Sequence, residues 1–388
     1  MITNLKTFHI KTRIFSGIGA ASNIGTVAKE FGASRCLLVA DPGLVPHGMT
    51  DRVTQSLTKA GIAVEMSTKV EPEPYLDNAD DAASIGKALG ADLVVGLGGG
   101  SALDTAKAAA TLLTNGGKAE DYIGLNQVPK PTTPTIMVPT TAGTGSEVTF
   151  TAVFTNRTTK VKGGINSPFL FPDAAVLDPE LTLSLPPNVT AFTGMDALTH
   201  AVESVTSLSS TVFTESLSLT AIRLISQSLR RAVYKGSDIE AREKMLLGSL
   251  FGGLALADAG VGAAHALAYP LGGNYRVPHG LANAILIPHV MEFNLPAAEN
   301  LLALIARSMG ESVEGLPPRW AAQAAVDAVR TLASDIGVPA TLYDLGIPKS
   351  AIPLLVEGAL KVTRPVENNP RFLGQQEAES IYEAAFQQ

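Results

Sequence analysis

Four short apolar runs, each closed by glycine, proline or aspartate, constrain this 388-residue chain more than any other feature. They are Cys36–Ala40 before Asp41-Pro42-Gly43, Ala91–Leu97 before Gly98-Gly99-Gly100, Thr135–Val138 before Pro139-Thr140-Thr141, and Ala174–Leu177 before Asp178-Pro179. Runs of this length bounded by turn residues read as strands buried on both faces. Helical stretches from Asp51 to Ala60 and from Asp77 to Leu89 lie between them. Alternating strand and helix predicts an α/β domain with a largely parallel sheet and helices on its faces.

After Leu185-Pro186-Pro187 the pattern changes. Leu217, Ala221, Leu224, Ile225 and Leu229 recur at helical spacing, as do Ala322, Ala325, Val326, Val329, Leu332 and Ile336 up to Gly337. The division expected is therefore an α/β domain over 1–185 and an all-α domain over 186–388. With 46% hydrophobic and 17% charged residues there is apolar surface enough for two cores, which excludes a disordered chain. A net charge of -7 with no basic cluster argues against a nucleic-acid or anionic-membrane surface. The single cysteine, Cys36, excludes an internal disulfide framework and a Cys-rich zinc module and favours the cytoplasm. Leu246–Ala257, the most apolar stretch, is too short to span a bilayer and reads as a buried helix. Met1–Lys6 lacks the charged-then-apolar layout of a signal peptide.

Gly98-Gly99-Gly100-Ser101 follows an expected strand and opens an expected helix, with Asp104 at capping-box spacing from Ser101. Two readings fit: a cradle where backbone N–H groups and the helix dipole receive a phosphate, or a turn that needs glycine only for its geometry. Asp41, directly after the first of the four runs, either accepts hydrogen bonds from a ribose or closes a plain turn. The polar loop Thr140–Glu147 also follows a strand end. In an open parallel sheet such loops share one crevice, so the three together point to a dinucleotide.

The chain has only six histidines. Asp196 and His200 stand at i and i+4, on one face of a helix. His265 falls in an Ala/Gly-rich helical stretch, and His279 opens another apolar stretch between Pro278 and Gly280. One carboxylate and three imidazoles suit Fe²⁺, Zn²⁺ or a similar divalent ion; the alternative is a helix-face hydrogen bond plus two satisfied core histidines. His9, His47 and His289 have no comparable setting. Arg276, just upstream of His279, is either an anion clamp for substrate or a solvated loop arginine.

The segments Gly98–Lys107, Pro139–Glu147, Gly194–Glu203 and Pro278–Ala284 together resemble the iron-containing (group III) alcohol dehydrogenase family, over nearly the whole chain. The resemblance implies a dehydroquinate synthase-like architecture, with a dinucleotide-binding domain, a helical domain and an active site in the cleft between them. It implies that Asp196, His200, His265 and His279 are metal ligands. Asp41, Gly98, Gly99, Gly100, Ser101, Asp104, Thr140, Thr141, Thr144 and Lys162 match cofactor-contact positions. The acidic Asp41 suggests NAD over NADP by repelling a 2′-phosphate. Tyr269 stands where the family usually has a second histidine near the nicotinamide. Its hydroxyl can still relay a proton, from a phenol of pKa near ~10 where imidazole has ~6.5. The stretch Ala255–Gly262 also departs from the Asn-containing family pattern.

The implied activity is metal-dependent hydride exchange between NAD(H) and a small alcohol or its aldehyde, in a homodimer or larger homo-oligomer. The alternatives are a zinc-dependent polyol (glycerol-type) dehydrogenase, a dehydroquinate-synthase-like lyase and, more distantly, a metal-dependent hydrolase without a dinucleotide. A non-catalytic binding module explains neither constellation.

Overall fold

The computed structural model describes residues 7–157 and 162–387. Met1–Lys6, which carry the signal-peptide expectation, and Lys160-Val161, which precede Lys162, lie outside the described residues. The chain divides into two compact units, Ile10–Ser184 and Leu185–Gln388, the latter joined by the segment ending at His9.

In the first unit, β1 (Arg13–Ser16), β2 (Arg35–Ala40), β3 (Ala63–Ser67), β4 (Leu93–Gly98), β6 (Thr135–Pro139) and β9 (Ala174–Leu177) form one sheet. Its order is β1-β9-β6-β4-β2-β3, and every pairing is parallel. The smaller strands β5 (Gly124–Leu125), β7 (Thr151–Thr155) and β8 (Lys162–Asn166) form a second sheet, with β7 and β8 antiparallel. The strand period of two sorts the core onto the two faces of the large sheet. Leu37, Val39, Val94 and Met137 pack with α3 (Leu76–Leu89) and α4 (Gly100–Asn115). Cys36, Leu38, Val95, Leu97, Ile136 and Val138 pack with α1 (Ile24–Glu30) and α2 (Met49–Lys59). Both faces are covered, which is why the central strands read as continuous apolar runs. The edge strands β1 and β3 are mostly exposed and carry no such run. Cys36 is a free, buried thiol whose pKa is pushed up to about 12 by burial.

The second unit is helical: α5 (Pro187–Thr206), α6 (Val212–Tyr234), α7 (Ile239–Ala259), α8 (Ala263–Tyr275), α9 (His279–Met309), α10 (Pro318–Asp335), α11 (Ile352–Leu360), α12 (Thr363–Asn368) and α13 (Gln375–Ala385). Helix α9 breaks at Ala298 (φ -135, ψ 25), two residues beyond Pro296, whose missing N–H and ring clash interrupt the ladder. Among the described residues no single helix is long and apolar enough to cross a membrane.

Candidate functional site

Strand order in the sheet reverses between β2 and β4: β3 lies outside β2, while β4 and β6 lie on its other side. Loops leaving the carboxyl ends of strands at such a switch point border a ligand crevice. Asp41 leaves β2, Gly99 leaves β4 and Thr140 leaves β6, and backbone hydrogen bonds lock the three loops together. Asp41 N–H donates to Leu97 O at 3.0 Å, and Thr140 N–H donates to Gly98 O at 3.0 Å.

The glycines permit this approach. Gly98 has φ +148, and a Cβ there would lie 2.8 Å from the Ala102 Cβ and 3.0 Å from the Asp41 Cβ. A Cβ on Gly100 would come 2.7 Å from Thr144 Cγ2. Helix α4 starts at Gly100 with Gly99 as its N-cap and no side-chain cap, so its leading N–H groups point out of the turn. The capping box expected between Ser101 and Asp104 does not form, because the helix begins one residue before Ser101.

Asp104 faces inward. Its Oδ1 accepts from the Ser146 hydroxyl at 2.6 Å and its Oδ2 from the Val153 N–H at 2.9 Å, with Lys107 Nζ at 3.7 Å. Burial raises its pKa against the pull of Lys107 and these hydrogen bonds. The side chain ties the Thr144–Val153 segment to α4. Asp41 Oδ1 accepts from Gly43 N–H at 2.8 Å, so the turn reading holds for that oxygen. Thr141 and Thr144 are half-buried, whereas Thr140 is buried. Lys162, at the start of β8, pairs with Glu73, which holds a left-handed backbone (φ 57).

In the helical unit, α5 presents Asp196, His200 and Glu203 at i, i+4 and i+7, one stripe of a 3.6-residue helix. Helix α8 supplies His265 on its first turn, and α9 supplies His279 as its first residue. One ligand atom each from Asp196, His265 and His279 lies within 4.8 Å of the others. The His200 ring stacks on the His265 ring at 4.7 Å between centroids, and the Tyr269 ring stacks on His279 at 5.5 Å and 11°. Asp196, His200 and His265 are buried, while His279 keeps 25% of its side chain exposed. Burial alone would raise the pKa of Asp196, but His200, His279 and His265 and a hydrogen bond from Asn283 bring it below the ordinary carboxylate value. Arg276 caps α8 in a left-handed conformation (φ 56) and is exposed.

Two further residues of this cluster, Asn283 and Glu203, lie within the family-like motifs and have no role that the sequence alone assigns. Asn283, one turn after His279, donates from Nδ2 to Asp196 Oδ1 at 2.8 Å and lies 3.2 Å from Nε2 of both His265 and His279. Glu203 Oε2 lies 2.5 Å from His265 Nδ1. The helical spacings 196–200–203 and 279–283 were the available signals. Nε2 of His279 lies 3.9 Å from Asp196 Oδ1, and with Nδ1–H of His265 given to Glu203 its Nε2 keeps a lone pair. Asn283 Oδ1 is buried without a hydrogen-bond partner. This donor set fits a divalent transition metal.

A cluster of one carboxylate and imidazoles that could hold a cation, in a chain that also carries a glycine turn at a sheet switch point, matches the two requirements of a metal-dependent dehydrogenase. That is the class this fold and these side chains define. The family model for iron-containing alcohol dehydrogenase matches residues 11–179, and that for the Fe-containing alcohol dehydrogenase family, C-terminal, matches residues 190–386. Long-chain-alcohol dehydrogenase 1 of Geobacillus thermodenitrificans is 42% identical over 95% of this chain and 94% of its own length. A crystal structure of 1,3-propanediol oxidoreductase superposes with TM-score 0.96 at 40% identity, covering 99% of this chain and all of the other. The sulfoacetaldehyde reductase of Bifidobacterium kashiwanohense, solved in complex with NAD⁺, has TM-score 0.89 at 31% identity, covering 99% of each chain. The chain belongs to the iron-containing alcohol dehydrogenase family. It is an oxidoreductase of the NAD-linked, metal-dependent alcohol dehydrogenase kind.

Proposed function

We propose that this enzyme interconverts small alcohols and aldehydes with NAD(H) as hydride carrier and Fe²⁺ as its resident ion, Zn²⁺ being accepted by the same donors. The observation that carries this reading is the convergence of Asp196, His265 and His279 from three helices, with the His200 ring stacked on that of His265. Asp196, His200, His265 and His279 hold the ion, and the partly exposed His279 marks the side open to substrate. A divalent ion held there supplies Lewis acidity toward an alcohol or carbonyl oxygen. NAD supplies or accepts the hydride.

The remaining roles belong to the chain. The N–H groups at Gly99, Gly100 and Ser101 receive the pyrophosphate, and the glycines let it approach the backbone. Asp41 accepts from the adenine ribose through the oxygen not given to Gly43 and disfavours a 2′-phosphate. Thr141 and Thr144 line the turn, with Thr140 beneath them and Asp104 tethering the loop that bears them. Lys162, held by Glu73, contacts the cofactor. Tyr269, fixed against His279, carries the alcohol proton toward solvent through its hydroxyl. The enzyme is assigned to the cytoplasm and to a homodimer or larger homo-oligomer, on the single buried cysteine and on family habit.

The test is a substrate screen with NAD(H) on metal-stripped protein reloaded separately with Fe²⁺ and Zn²⁺. His265→Ala is expected to lose turnover and bound metal while NADH binding, followed by fluorescence, stays near wild type. Wild-type kcat with full metal content in that variant would overturn the assignment.

A further inference from the structure

Glu203 lies outside the proposed ligand set, yet both its carboxylate oxygens are engaged. It is 3% exposed, on the same stripe of α5 as Asp196 and His200. One carboxylate oxygen accepts from Ala264 N–H at 2.6 Å, in the first turn of α8, and the other meets His265 Nδ1 at 2.5 Å. Space for the carboxylate is left by Gly262, where a Cβ would come within 3.2 Å of Glu203 Oε1. A carboxyl group this deeply buried needs partners for its oxygens, and each oxygen has one.

We propose that Glu203 is the positioning residue of the metal centre, fixing the tautomer and ring orientation of His265 so that Nε2 presents its lone pair to the ion. A carboxylate on the far nitrogen of a ligating imidazole holds the proton there and raises the donor strength of the near nitrogen. The carboxylate also receives the first turn of α8, so one side chain sets where that helix begins and how its histidine is turned. The inference rests on the metal reading above. Glutamine cannot replace Glu203 in this arrangement. Its single carbonyl faces two donors, the Ala264 N–H and the His265 Nδ1–H. When the carbonyl takes the backbone, its NH₂ turns to Nδ1 and drives the imidazole proton to Nε2, which blocks coordination.

The experiment measures Zn²⁺ affinity of the metal-free protein by competition with a chromophoric chelator, in wild type, Glu203→Gln and His265→Ala, with NADH fluorescence as a parallel readout. Glu203→Gln is expected to bind Zn²⁺ about 10–100-fold more weakly, with NADH affinity unchanged and His265→Ala weaker still. If Glu203→Gln stays within twofold of wild type while His265→Ala loses the ion, Glu203 merely caps α8 and the metal reading survives. If His265→Ala itself keeps wild-type affinity, both ideas fall. A second readout avoids dependence on the variant's folding: ¹⁵N-histidine NMR of the Zn²⁺-loaded wild type. A signal missing in His265→Ala should show a protonated Nδ1 and a metal-shifted Nε2; coordination through Nδ1 would overturn the proposal.

Discussion

Tyr269 shows how much one position can alter a shared site. Its ring lies parallel to that of His279 at 5.5 Å, so the side chain packs on a proposed ligand whatever its hydroxyl does. Tyr269→Phe preserves the ring and removes only the hydroxyl, and is expected to lower kcat about 100-fold, the size of a general acid–base contribution, with metal content unchanged. Tyr269→His should restore turnover and move the pH dependence of kcat toward the imidazole range near ~6.5. Pre-steady-state and steady-state kinetics across pH check this; wild-type kcat in the phenylalanine variant would reduce Tyr269 to packing. Asp104 has a task within the chain besides the cofactor contact that the family resemblance implies for it. One oxygen accepts from the Ser146 hydroxyl and the other from the Val153 N–H, which holds the loop.

At the scale of elements, the site depends on how closely helices and loops approach. Gly280, in the first turn of α9, lies against α5: a Cβ there would collide with the Phe192 carbonyl oxygen and come within 3.2 Å of the Asp196 Cβ. Gly280→Ala therefore pushes His279 away from Asp196, and is expected to cost about 1–3 kcal/mol of stability and to weaken Zn²⁺ binding; denaturant melts and chelator competition measure both. Helix α4 carries a different burden. Lys107, fully buried, donates to Thr151 O at 2.9 Å, and burial pulls its pKa down to about 8 against the pull of Asp104 and Glu147. Burial pushes buried Glu147 up to about 7, against its own backbone hydrogen bond and the Lys107 charge. Because the folded state holds this proton more tightly than an ordinary carboxyl of 4.5, the contribution of Glu147 is complete below pH 4.5. It is lost as the pH rises to about 7. The melting temperature of wild type should fall relative to Glu147→Gln across that window, and calorimetry at a series of pH values reads the difference. Parallel slopes would argue that Glu147 is charged throughout.

On the scale of the whole molecule, the proposed nucleotide and metal residues belong to different units, so each ligand should protect its own set of amides. Hydrogen exchange is expected to slow across 96–107 and 140–147 on adding NADH, and across the first turns of α8 and α9 and the middle of α5 on adding Zn²⁺. A ligand at 100 times its Kd adds about 2.7 kcal/mol to the state that binds it. Zn²⁺ protection confined to surface carboxylates would contradict the metal site. The central strands, the glycine turn and the Asp196–His200 pair were legible because each follows from a local period or a local backbone need. Burial on both faces writes β2, β4, β6 and β9 as apolar runs, and a 3.6-residue helix puts i and i+4 on one face. The edge strands β1 and β3 left no such trace, since most of their side chains meet water. Local patterning thus wrote the buried central strands, the glycine turn and the shared face of Asp196 and His200 into the chain. Only the tertiary structure decided that His265 meets Glu203 62 positions away and that His279 joins Asp196 from another helix. The physical reason is that a periodic pattern encodes direction about its own axis, whereas the register between helices is set by packing of faces far apart in the chain.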